Sequence, residues 1–176
     1  VIRLDHREPI PEPLRGAILA LGNFDGFHLG HQAVVGAAVD WARGTKDGKR
    51  RPAIVATFDP HPVRHFVPDA APFRLTTLDQ REELFAAAGA DAMLVFHFDG
   101  ALAATSAEDY VRELLARHLG AAGVVTGEDF TFGKGRAGNR QRLVELGAGC
   151  GLAARSVGPV LNNGVPVSSS RVRAAL

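Results

Sequence analysis

Five short apolar runs, separated by stretches of helical periodicity, leave this chain few ways to fold. The runs are "AILALG" (17–22), "AIVATF" (53–58), "AMLVFHF" (92–98), "GVVTG" (123–127) and "LAARSV" (152–157). Runs of this length rich in Val, Ile and Ala are the mark of strands buried on both faces. Between them, the stretches 30–43, 78–88, 107–119 and 139–146 have helical periodicity. Strands alternating with helices pair in parallel through right-handed crossovers. The expectation is therefore an α/β fold: a Rossmann-like, doubly wound parallel sheet with helices on both faces. Thr77 with Gln80, and Ser106 with Asp109, stand at helix starts as capping boxes would. The basic stretch "GTKDGKRRP" (44–52) reads as a solvated loop.

Composition limits what such a domain can do. With 176 residues, 46% of them apolar and 22% charged, the chain can bury one full core, and residues 1–176 are expected to form one domain. The formal net charge is +1, so whole-chain charge argues neither for nucleic acid nor for an anionic membrane as a partner. Cys150 is the only cysteine, which rules out an internal disulfide and a multi-cysteine zinc site. No signal peptide and no apolar run of about 20 residues is present, so the cytoplasm is the expected location. The chain opens on Val1 and stops in "SSSRVRAAL", a helix barely begun, as a piece of a longer protein would.

The chemistry gathers after the first of these runs, in "GNFDGFHLGH" (22–31). Ligands of open α/β sheets bind at the carboxyl ends of strands. Gly22, Gly26 and Gly30 allow tight turns and close backbone approach, and the following helix offers unpaired N–H groups to an anion. His28 and His31, one turn apart, can then reach the same phosphate and donate to charge that develops on it, protonated by its proximity. The competing readings are half of a metal site, or a glycine-rich turn with solvated histidines.

The H-x-G-H of His28–His31 resembles the signature of the nucleotidyltransferase superfamily. The longer "GNFDGFHLGHQ" resembles the FMN adenylyltransferase domain of the prokaryotic bifunctional riboflavin kinase/FAD synthetase. Four more stretches match that family in order: "TFDPHP" (57–62), "LTTLDQREELFAAAGAD" (75–91), "GEDFTFGKGRAGN" (127–139) and "VSSSRVR" (167–173). Two positions depart from its pattern: Ser170 replaces the usual threonine, and Arg81 stands where lysine is common. The family normally continues into a riboflavin kinase domain, which is expected to lie outside residues 1–176.

The resemblance implies transfer of AMP from ATP to FMN, giving FAD and pyrophosphate, with Mg2+. It implies that His28, His31 and Arg173 are catalytic. Gly22, Phe24, His28, Gly30, His31, Ser168, Ser169, Ser170, Arg171 and Arg173 would bind ATP. Asn23, Asp25, Phe58, Pro60, His61, Pro62, Asp129, Phe130 and Phe132 would bind FMN, the rings and prolines being suitable walls for a flat flavin. Asp129 is either a ligand of Mg2+ or a hydrogen-bonded loop acid. Each phenylalanine could instead be core, and "SSSRVR" could be an ordinary helix cap followed by surface arginines. The rival functions are a nucleotidyltransferase with another acceptor, a binding module without turnover, and a relative of class I aminoacyl-tRNA synthetases. No basic patch or anticodon-binding extension supports the last.

Overall fold

The computed structural model describes residues 2–44, 48–62, 66–67 and 74–175. Six strands form one parallel sheet: β1 (Ile2–Asp5), β2 (Ile18–Leu21), β3 (Ala53–Phe58), β4 (Ala92–Phe96), β5 (Gly123–Gly127) and β6 (Ala153–Val157). Their spatial order is β1-β4-β3-β2-β5-β6. The chain steps outward from β2 through β3 to β4, then returns to the other side of β2 as β5. The order therefore reverses between β2 and β5, where a crevice must open above the strand ends.

Strand side chains alternate between two cores. Leu19, Leu21, Ile54, Leu94 and Val124 face one apolar layer, and Ile18, Ala20, Val55, Met93 and Val125 face the other. Helices α1 (Leu29–Arg43) and α2 (Leu78–Ala87) cover the second layer with Val34, Val35, Ala38 and Phe85. The first layer is covered by α4 (Ala107–Asp109, continued by Tyr110–His118) and α5 (Arg140–Ala148) through Val111, Leu115, Leu143 and Leu146. A short turn of helix, α3 (Gly100–Ala103), precedes α4.

The expected helix over 107–119 is of two kinds. Residues Ala107–Asp109 open α4 as an α-helix, and Tyr110–His118 continue it as a π-helix. Buried Tyr110 and Leu115 lie five apart, the spacing that a π-turn brings onto one face. Thr77 forms a complete capping box with Gln80. Ser106 caps α4 by accepting the Asp109 N–H.

Three features lay outside the sequence reading. One is the edge strand β1; another is the antiparallel pair β7 (Leu161–Asn162) and β8 (Val165–Pro166). The third is the full extent of the last helix, α6 (Ser169–Ala175). In the stretch 44–52, Gly44 and residues 48–50 are exposed, as a solvated loop requires. Arg51 and Pro52 are half-buried, Arg51 donating its N–H to the Ala42 carbonyl, and residues 45–47 lie outside the described set. Cys150 is unpaired by any disulfide. Among the described residues no helix is long and apolar enough to cross a membrane.

Candidate functional site

A cleft of about 650 Å³ opens at the topological switch point. The loops after β2 and β5, the segment after β6 and the start of α6 line it. The loop after β2 is strained: Phe24 and Phe27 have φ of 54° and 39°, which aromatic residues rarely adopt. Both rings are buried edge-on against Phe85 of α2, with centroids 5.8 and 5.3 Å away. That packing holds the unfavourable backbone in place.

His28 is the N-cap of α1, and its Nδ1 accepts the N–H groups of Gly30 (3.1 Å) and His31 (3.3 Å). Since Nδ1 is an acceptor, the ring hydrogen of neutral His28 belongs on Nε2. The His28 and His31 rings stack at 3.6 Å, 18° from parallel. A Cβ at position 30 would lie 2.9 Å from His28 Cε1, so glycine is what lets the ring fold back over the helix start. Burial lowers the pKa of His28. His31 is pushed down to about 3, by burial first and then by its neighbour His28. His31 Nδ1 and Asn23 Oδ1 are buried with no hydrogen-bond partner among the described residues. Burial thus favours the neutral imidazole at both positions, and the protonated pair expected from the sequence is one that a nearby polyphosphate would have to induce.

Ser168 caps α6 by accepting the Arg171 N–H at 3.2 Å. The Ser169 hydroxyl donates to the Asp25 carbonyl at 2.7 Å, and Arg173 Nη2 reaches the Asp25 carboxylate at 2.6 Å. The cleft therefore brings together Gly22, Asn23, Phe24, Asp25, His28, Gly30, His31, His61, Asp129, Phe130, Ser168, Ser169, Ser170 and Arg173, all singled out from sequence.

Several expected residues stand elsewhere. Phe58 is buried in the core, stacked on Phe96, and Phe132 is buried against Tyr110. Both rings belong to the first apolar layer; they are not among the lining residues of the cleft, and neither are Pro60 and Pro62. Arg171 turns away, donating to the Val165 and Pro166 carbonyls, which stabilises the hairpin. Asp25 borders the cleft, but its carboxylate is occupied by the Leu75 and Thr76 amides, the Thr76 hydroxyl, Arg81 and Arg173. Burial alone would raise its pKa; these partners outweigh burial and hold it below the usual carboxylate range.

Asp129 is exposed on the loop after β5. Among the described residues no group of three or more His, Cys, Asp or Glu side chains could hold a metal ion. The sequence reading missed the lining from Val157, the last residue of β6, to Val160, and the anchoring role of Arg81 and Thr76. The position of β6 beside β5 was a usable cue for the former, since its end had to reach the same crevice.

Fold and cleft together define an α/β protein of nucleotidyltransferase-like fold. The sequence model described as FAD synthetase matches residues 10–171, and the chain belongs to that family. The bifunctional riboflavin kinase/FMN adenylyltransferase of Escherichia coli strain K12 is 36% identical over 166 residues, covering 93% of this chain and 51% of the relative. Its counterpart in Pseudomonas fluorescens is 35% identical over 162 residues, covering 92% and 50%. The chain thus spans about half the length of the curated relatives it matches. A solved structure described as a macrolide-efflux protein from Streptococcus pneumoniae has a TM-score of 0.84 at 22% identity, covering 99% of this chain and 57% of that one. Pantoate-beta-alanine ligase from Francisella tularensis, solved with beta-gamma ATP and beta-alanine, has a TM-score of 0.59 at 13% identity, covering 98% and 72%. At these identities the two structures speak for the fold alone.

Proposed function

We propose that this chain is an FMN adenylyltransferase domain, extending over residues 1–176, that makes FAD and pyrophosphate from FMN and ATP. The observation that carries the reading is the meeting of His28 and His31 with Ser168–Ser170 and Arg173 in one switch-point cleft. Membership of the FAD synthetase family and the names of the curated relatives support the choice of acceptor.

In the proposed reaction a phosphate oxygen of FMN attacks the α-phosphorus of ATP. The bond from that phosphorus to the α,β-bridging oxygen breaks, and pyrophosphate leaves with the electron pair. His28 offers its Nε2–H to a non-bridging oxygen as negative charge builds there, its Nδ1 being committed to the helix cap. Ser168–Ser170 and Arg173 hold the β and γ phosphates. Asn23, His61, Asp129 and Phe130 form the FMN side.

Mg2+ fits this site as an ion carried by the nucleotide, since it takes few protein ligands and keeps phosphate and water. The exposed Asp129 is the carboxylate that would hold it, and the ion would neutralise charge on the triphosphate. The riboflavin kinase activity named for the relatives would belong to a separate region of a longer parent chain, with the cytoplasm as its place of work.

The test is to incubate the purified chain with FMN, ATP and Mg2+ and to measure FAD and pyrophosphate, beside a His28→Ala/His31→Ala variant. FAD formed by the parent and nearly lost in the variant is the expected result. Bound ATP and FMN with no FAD would refute catalysis by this chain, and a different adenylylated acceptor would refute the choice of FMN.

A further inference from the structure

One buried residue joins three segments that are far apart in sequence. Asp25 is 3% exposed. Its carboxylate accepts the Leu75 and Thr76 N–H groups, each at 2.9 Å, and the two guanidinium groups of Arg81 (3.3 Å) and Arg173 (2.6 Å). Its main-chain carbonyl takes the Ser169 hydroxyl. The two arginines are not equivalent. The Arg81 side chain is 5% exposed and also bonds the Thr57 hydroxyl and the Thr76 hydroxyl and carbonyl. It is fixed in the interior, where it neutralises the acid. The Arg173 side chain is 24% exposed and lines the cleft.

We infer that Asp25 is a positioning residue for the nucleotide phosphates: it holds the Arg173 guanidinium and the Ser169 hydroxyl in place on the cleft before ATP arrives. The inference rests on the nucleotide reading proposed above. A long arginine side chain has rotamer freedom to lose when it is fixed. An arm already docked on a buried carboxylate has lost much of it before the ligand binds, which strengthens binding by preorganisation. The bond from Nη2 to Asp25 fixes the direction in which the planar guanidinium points. Asp25 would thereby act on ATP through α6, without touching either substrate.

The comparison uses Asp25→Asn, the pair Asp25→Asn/Arg81→Gln, Arg173→Ala, and Arg173→Ala added to the pair. The pair removes the buried acid together with its buried cation, so it stays informative if the single Asp25 change does not fold. Calorimetric titration with ATP and with FMN is the main readout, with melting temperature and FAD formation alongside. The pair is expected to bind ATP about tenfold more weakly, equivalent to ~1.4 kcal/mol. FMN affinity should stay within about twofold, and adding Arg173→Ala should cost little more. Wild-type ATP affinity in the pair would overturn the inference, leaving Asp25 as a counter-ion for Arg81. A full, additive loss from Arg173→Ala in the pair background would overturn it as well. ATP binding without FAD formation by the parent would refute the reaction and leave these affinity comparisons intact; no ATP binding by the parent would overturn both.

Discussion

Lowering the pH should weaken this protein through His31. Its pKa is pushed from the ordinary 6.5 to about 3, because burial and the stacked His28 ring disfavour a second charge. In the unfolded chain the same imidazole titrates near 6.5. Below that pH the unfolded state binds a proton that the folded state refuses, so stability present above 6.5 is lost progressively between 6.5 and about 3. From pH 7.5 to 5.5 the unfolded state gains about one pKa unit of proton binding at this site, which is ~1.4 kcal/mol. Urea unfolding of the parent and of His31→Gln at both pH values isolates the effect, since other titrating groups are shared. The stability advantage of the parent over the variant should shrink by about that amount. An unchanged difference, or an NMR titration placing His31 near 6.5, would refute the claim that burial holds the His31 pKa down.

Substitutions at His28, Thr77 and Gly147 probe the helix caps and the close backbone packing. His28→Ala should lower FAD formation by roughly 10²- to 10³-fold in kcat, and should cost ~1 kcal/mol of stability for the lost cap. His28→Asn restores an acceptor for the Gly30 and His31 amides without the Nε2–H, so stability should return while activity stays low; recovered activity would mean that the cap alone mattered. Thr77→Ala removes one half of a complete capping box and should cost ~1 kcal/mol by denaturant unfolding, with ATP affinity unchanged. Gly147→Ala should cost about 1–3 kcal/mol, because a Cβ there would overlap the Leu152 carbonyl oxygen, which belongs to the backbone and has little room to yield.

The sheet was legible because its strands are buried on both faces and therefore read as unbroken apolar runs. Strand β1, "IRLD", hid because it is a four-residue edge strand with Arg3 facing Asp79 and Glu82 in solvent. The β7–β8 pair left a cue that went unused: Asn163 and Gly164 both have positive φ, 54° and 78°, as an Asn-Gly hairpin turn requires. At the site, His28, His31 and the serines were readable because each sits beside the start of its own helix. Phe58 and Phe132 were not, since a phenylalanine at a strand end suits a core and a flavin wall equally. The role of Asp25 depends on Arg81 and Arg173, which lie 56 and 148 positions away, and no local pattern encodes that meeting.

Because burial lowers the pKa of both histidines, other groups share the burden of attracting a triphosphate. The first amides of α1 are partly spent, because His28 Nδ1 accepts from Gly30 and His31. Much of the attraction must then come from α6, through Ser168–Ser170 and Arg173. Yet α6 has no buried residue, and the hairpin before it is exposed throughout. Ser169 and Arg173 both dock it onto Asp25, so anchoring and phosphate contact fall on the same short helix. An element held mainly by polar bonds opens more easily than the sheet beneath it, and a ligand that binds its docked form stabilises that form by mass action. ATP should therefore slow amide exchange in α6 far more than in β2–β5, whereas FMN alone should leave α6 unchanged.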